Sequence, residues 1–263
     1  MKTPDWQELT RFAIALAKAS AAEILPYFRR NTEIGVKQGP LWDPVTEGDR
    51  SGERVIRAMI EERFPDHGIH GEEYGVKDAR SGFTWILDPV DGTRSFVCGM
   101  PTWATLIGLN FGGIPTIGLM HQPFVGDMFY GNPQGAWLDH RGNCEPIATR
   151  TGINLSAATI GTTAPELYRL PKDREAFARL RKRARLTRYG GDAYFFALMA
   201  AGHMDIAMDA DLQIYDIAPL LPIIGGAGGV YTEWRGGDAA KGGNIITAGS
   251  QALLDEALEI MRG

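Results

Sequence analysis

The sequence predicts an α+β fold in which helices and sheets form separate layers, rather than a doubly wound parallel sheet. Three observations predict it. Two segments with helical periodicity come first. Five apolar runs then follow one another between residues 84 and 140, separated by short breaks such as GGIP, PFVG and NPQ. That is the pattern of an antiparallel meander. Beyond residue 150, helical and strand-like patterns alternate, which gives a layered mixture with strands in both directions.

The first helix is predicted over 4–30. Leu9, Phe12, Ala13, Leu16, Ala17, Ile24 and Phe28 share one face at a 3.6-residue period. Thr3 is the expected cap, with Pro4 in the first turn. A second helix is predicted from TEGDRSGERV, where Thr46 and Asp49 fit a capping box, and it closes at Pro65. TWILDP, TLIGLNF, TIGLMHQP, DMFYGN and GAWLDH are the strands of the meander, and RGNCEPIATR is a short loop leading away from it. We place the division of the chain there. Residues 1–149 form an N-terminal half and residues 150–263 a C-terminal half. In the second half ATIGTTA, LTRYG, MDIAMDA, VYTEW and NIITAGS are expected strands. DREAFARLRKRA, DAYFFALMAAG, YDIAPLLPIIGGAGG and QALLDEALEIMR are expected helices. Pro219 is tolerated in the first turn of the third of these, whereas Pro222 removes a backbone hydrogen bond and predicts a kink.

Composition narrows the function classes. The 263 residues are 44% hydrophobic and 22% charged, enough for a real core in an ordinary globular chain. A net charge of −5 argues against nucleic-acid binding, which needs a basic face. Two cysteines without a CxxC make no disulfide framework and suit a reducing cytoplasm. No signal-like stretch and no run of about 18 apolar residues predicts secretion or membrane insertion.

The chemistry is suggested by carboxylates. WILDPVDGTRSF runs from buried-type residues into Asp88 and Asp91, and Glu72 and Asp216 also adjoin apolar segments. Carboxylates gathered in a partly dry place must take up protons or share a cation. An all-oxygen ligand set favours a hard ion such as Mg2+. Only His67 and His70 among the five histidines stand at anything like ligand spacing. Pro89 stiffens the turn so that Asp88, Asp91 and the Val90 carbonyl can face one point, while the Gly92 and Thr93 amides suit an anion. Each residue also has a plainer reading. Asp88 and Asp91 suit a capped turn, Glu72 beside Glu73 a solvated surface, Asp216 a helix N-cap and Asp49 the capping box with Thr46.

WILDPVDGTRSF resembles the signature of the inositol monophosphatase superfamily, roughly Trp-x-Ile/Leu-Asp-Pro-Ile/Val-Asp-Gly-Thr-x-Asn/Ser-Phe. YDIAPLLPIIGGAGG, GEE at 71–73 and DPVTEGD at 43–49 resemble three further segments of that family, in the expected order. The resemblance implies an αβαβα layered sandwich, a homodimer and a Mg2+-dependent, lithium-sensitive phosphomonoesterase holding two or three ions. It implies that Glu72, Asp88, the Val90 carbonyl, Asp91 and Asp216 bind metal. Thr93, with Asp49 or Glu72, would orient a water for single in-line displacement, and Gly92 and Thr93 would bind the phosphate. RYGGD at 188–192 is similar to the histidinol-phosphate phosphatase branch, with inositol monophosphate as the alternative substrate. Asp192 and Asp209 would then pair with the cationic leaving group. Asp192 suits an N-cap equally well. The basic run ending at Arg188 reads as a solvated face, or as a source of a phosphate contact from Arg188 in this or a neighbouring subunit. Trp42 in GPLW falls in an expected flap. A non-catalytic, metal-dependent binding protein is the reading from another class.

Overall fold

The computed structural model describes residues 4–30, 35–36 and 44–263. Trp42, Asp43 and the expected flap lie outside the described residues. Helix α1 (Trp6–Ile24) is capped by Asp5, whose carboxylate accepts from Glu8 N, and Thr3, the expected cap, lies outside the described residues. A 3-10 turn follows at Leu25–Tyr27. Strands β1 (Gly35–Val36) and β2 (Pro44–Val45) pair with each other, and α2 (Glu47–Arg63) starts at the expected Thr46–Asp49 capping box. Next come β3 (Gly68–Gly71), β4 (Gly75–Lys77), β5 (Phe83–Asp91) and the short α3 (Thr93–Val97). The meander is β6 (Ala104–Phe111), β7 (Ile114–Gln122), β8 (Asp127–Asn132), β9 (Gly135–His140) and β10 (Asn143–Pro146). The segment expected to be a plain loop thus supplies one strand more than expected, β10, paired with β9.

The C-terminal half begins with β11 (Thr159–Thr162), α4 (Pro171–Arg183), β12 (Leu186–Tyr189) and α5 (Asp192–Ala200). It continues with β13 (Ile206–Leu212), α6 (Ile214–Ile217) and α7 (Leu221–Gly226). It ends with β14 (Val230–Glu233), β15 (Gly243–Ala248) and α8 (Gln251–Arg262).

Two sheets organise these elements. One has the strand order β10-β9-β8-β7-β6-β5-β3-β4 and is antiparallel except where β3 runs parallel to β5. The other has the order β12-β11-β13-β15-β14, in which β11 runs parallel to both β12 and β13. Three apolar clusters fill the four interfaces between five layers of structure, the middle cluster spanning two of them. Leu16 and Ile56 of α1 and α2 pack on Trp85, Leu87 and Ile107 of the large sheet. Its other face, through Leu106, Met120 and Phe129, meets α5, α7 and Ile245 of the small sheet. Phe177 of α4 and Leu253 of α8 cover the far side of the small sheet against Ile160 and Ile246. Both faces of the large sheet are therefore buried, which is why β5–β7 read as nearly continuous apolar runs. The middle layer draws on both sides of position 149. Among the described residues no helix is long and apolar enough to cross a membrane.

The helix expected as one kinked unit from Tyr215 is two. Pro222 lies in the first turn of α7 and forfeits no helical bond there, while Pro219 occupies the break between α6 and α7. The break rests on a stripe of glycines. Gly108 pairs with Gly118, and Gly118 with Gly131, across three adjacent strands. A Cβ at Gly118 would stand 1.9 Å from the Pro219 carbonyl oxygen, so only glycine lets this chain lie on the sheet.

Candidate active site

Buried apolar side chains drive β5 through the large sheet and leave its C-terminal end at a cavity. Trp85, Ile86 and Leu87 are fully buried, and Asp88 follows at 2% exposure. Pairing with β6 then slips between Asp88 and Asp91. Pro89 has no N–H for the ladder, and its carbonyl accepts from Thr105 Oγ1 at 2.8 Å. Gly92 takes φ 75° and turns the chain into α3.

Asp88, Asp91 and Asp216 converge, with one oxygen of each lying within 4.8 Å of the others. Each carboxylate is oriented by a backbone N–H. Val90 N donates to Asp88 Oδ1 at 3.0 Å, Ala193 N to Asp91 Oδ2 at 2.9 Å and Gln213 N to Asp216 Oδ2 at 2.7 Å. The capped-turn reading of Asp88 therefore holds together with convergence, whereas the N-cap reading of Asp216 does not. Asp216 caps α6 from its third position, with Gln213 as the cap residue itself. Burial, then the charges of Glu72, Asp91 and Asp216, holds the Asp88 carboxyl well above the usual range. Burial followed by the charges of Asp192 and Asp216 does the same for Asp91.

Glu72 lies in the turn between β3 and β4, lines the same cavity and hydrogen-bonds to Asp88. Its N–H donates to Leu87 O at 3.1 Å. Thr93 Oγ1 donates to Val90 O at 3.1 Å, so this hydroxyl and that carbonyl are held together. Asp49 is 1% exposed. Its Oδ2 accepts from Thr46 N and Oγ1, and its Oδ1 is buried without a partner. Burial lifts its pKa to about 6, with Glu72 adding to the rise.

The cavity is about 370 Å3. Its second wall comes from α5 and β13. Asp192 is not the cap of α5, since Gly191 holds that position and Asp192 is the first helical residue at φ 45°. Its carboxylate accepts from Ser95 Oγ at 2.6 Å, and burial raises its pKa. Asp209 accepts from Thr162 Oγ1, Thr163 N and Thr163 Oγ1 at 2.7–2.8 Å, while burial lifts its pKa to about 7. Arg188 lies on the exposed edge strand β12 and does not line the cavity, which corrects its expected contact from within the same subunit. The sequence reading missed Arg94, Arg169, Asp211 and Tyr215, which do line it. Arg169 pairs with Asp211 at 3.5 Å, and Asp211 sits at φ 60°. Their signal was weak, because an isolated arginine or a second Asp in DAD resembles ordinary surface. His67 accepts from Trp85 Nε1 and stacks on Phe64 and Phe83, so it belongs to the core.

A family profile for inositol monophosphatases matches residues 5–262. The chain belongs to the inositol monophosphatase family. A histidinol-phosphatase of Chlorobaculum parvum is 33% identical over 95% of this chain and 94% of its own length. A chloroplastic bifunctional phosphatase of Arabidopsis thaliana is 37% identical over 96% of this chain and 75% of its own. An inositol monophosphatase from Zymomonas mobilis has the same fold, with a TM-score of 0.87, 33% identity and coverage of 99% and 100% of the two chains. This inositol monophosphatase-family protein is accordingly a phosphoric monoester hydrolase of a metal-dependent family.

Proposed function

We propose that this phosphatase uses Mg2+ and hydrolyses histidinol phosphate, with inositol monophosphate as the second reading. The observation that carries the metal assignment is the convergence of Asp88, Asp91 and Asp216 on one point. The donor set fits a hard cation, because it is all oxygen and its like charges oppose one another. Glu72, Asp88, the Val90 carbonyl, Asp91 and Asp216 would hold the ions. Bound there, Mg2+ supplies Lewis acidity and positive charge for phosphate-ester hydrolysis.

The chain's own residues do the rest. The Gly92 and Thr93 amides, at the start of α3, suit phosphate oxygens, and Arg94 and Arg169 add positive charge to the cavity. Thr93 Oγ1, fixed on Val90 O, orients the attacking water, with Glu72 as the adjoining carboxylate. The partnerless Oδ1 of Asp49 gives a second place for a proton behind it.

Histidinol phosphate is favoured by the anionic second wall. Inositol is neutral, whereas histidinol carries an ammonium group. Asp209 is buried and engaged by two threonines, and Asp192 is engaged by Ser95, whereas Asp211 is half-exposed and its pair with Arg169 is loose at 3.5 Å, so Asp211 is the carboxylate best placed to meet that cation. The likeness to histidinol-phosphatases supports the same substrate. The inositol reading is supported by the likeness to the Zymomonas enzyme.

Phosphate release after chelation, with Mg2+ added back, tests the metal. Comparing kcat/KM on both esters tests the substrate. Histidinol phosphate should lead by about tenfold or more, ~1.4 kcal/mol. A lead of that size for inositol 1-phosphate would overturn the choice. Asp211→Asn should raise KM for histidinol phosphate and leave that for inositol 1-phosphate unchanged.

A further inference from the structure

We infer that Glu53 and Arg57 are positioning residues for Glu72, a buttress that sets the affinity of the acidic site without touching it. The inference rests on the reading of Glu72 as a cation ligand. Glu53 lies in the middle of α2 and is fully buried. A carboxylate so deep needs pairing and hydrogen bonds to be tolerated at all. Its partners are all at one place. Oε2 accepts from Glu73 N at 2.8 Å, and Oε1 accepts from Tyr74 N at 3.2 Å and from Arg57 Nε at 2.7 Å. Arg57 Nη2 donates in turn to Gly75 O. The pair therefore grips residues 73, 74 and 75, the three that follow Glu72.

The residue before Glu72 is shaped to the same end. A Cβ at Gly71 would lie 2.0 Å from Glu53 Oε1, so glycine is what lets the carboxylate reach beneath the turn. On its other side the turn is tied to β5 through Glu72 N and Leu87 O. Glu72 is thus held between the strand that carries Asp88 and the helix that carries Asp49. Asp49 and Glu53 are four residues apart and share a helix face. An apolar residue at 53 would fill the space but leave the Glu73 and Tyr74 amides unmet. A plain anchor for the turn would affect stability alone. A positioning pair also moves the affinity for the cation.

Titration of the metal-free full-length protein with Mn2+, followed by electron paramagnetic resonance, separates these. Glu53→Gln keeps one acceptor oxygen and loses the ion pair. It should weaken Mn2+ binding tenfold or more and raise the Mg2+ concentration for half-maximal phosphatase activity, with kcat at saturating Mg2+ much less affected. Ile56→Val, buried on the same helix, should lower the melting temperature and leave Mn2+ affinity unchanged. If Glu53→Gln does not fold, Arg57→Lys, which keeps the charge and loses the bond to Gly75, should shift Mn2+ affinity in the same direction by a smaller factor. Mn2+ affinity equal to wild type in a folded Glu53→Gln or Arg57→Lys protein would overturn the buttress while leaving the cation reading intact. Failure of the wild type to bind Mn2+ would remove the cation reading and the buttress with it.

Discussion

Asp91 shows how one side chain serves the fold and the chemistry at once. Its Oδ2 accepts from Ala193 N, the first amide after Asp192 in α5, and it is one of the three converging carboxylates. An asparagine can still accept that bond but brings no charge. Asp91→Asn should therefore keep the wild-type free energy of urea unfolding within about 1 kcal/mol and lose more than about a hundredfold in Mg2+-dependent kcat/KM. A variant with near-wild-type turnover would remove Asp91 from the ligand set. The same duality explains what could be read from the sequence at this scale. WILDPVDGT exposed Asp88 and Asp91 because two acids after buried-type residues are costly unless something uses them. Asp192 and Asp209 were legible as acids near the site. Their partners, Ser95 and Thr162–Thr163, lie far away in the chain and could not be inferred. Arg169 and Asp211 gave little local signal, since their pairing arises only where the segment before α4 and the β13 strand approach the same cavity.

At the scale of elements, the site depends on how closely α6 and α7 can lie on the large sheet. Gly108 and Gly118 form the surface that receives Pro219, Gly131 receives the backbone of Pro222 and Ile223, and Asp216 stands one turn before Pro219. Gly118→Ala places a methyl group on the Pro219 carbonyl. It should cost about 1–3 kcal/mol in urea unfolding and lower Mg2+-dependent activity as Asp216 shifts. An unchanged midpoint would show that the close approach is not tight. Sequence periodicity located both long helices and the meander, because their apolar faces are driven by burial. It merged α6 with α7, since the break comes from a glycine stripe on other strands. It passed over β3, β4 and β10, which are only three or four residues long. β3 reads GIHG, a sequence with little strand propensity, and is a strand because β5 pairs with it.

For the whole molecule, three apolar clusters hold five layers together, and stability should follow groups buried between them. His121 of β7 sits against α1, where Nδ1 donates to Ala17 O at 3.4 Å, and burial lowers its pKa to about 4. An unfolded histidine titrates near 6.5. The folded state thus resists the proton. This contribution is fully present above about pH 6.5 and is lost as the pH falls toward 4. Between pH 7 and 4.5 the wild type should lose about 2–3 kcal/mol more than His121→Gln, measured by urea unfolding of both proteins. Equal losses would mean that His121 is charged or hydrated in the native state. The layered class was legible from the order of periodicities. The division at 149/150 marks a change of pattern, yet the middle core takes side chains from both sides of it, as Phe129 and Phe196 show.

The central claim is that Asp88, Asp91 and Asp216, brought from β5 and α6, hold a divalent cation. Anomalous scattering from a crystal grown with Mn2+ tests it most directly. The account predicts a strong peak among the three carboxylates, with an oxygen of each at bonding distance. A map whose Mn2+ peaks all lie elsewhere, with these three side chains turned to solvent, would contradict it.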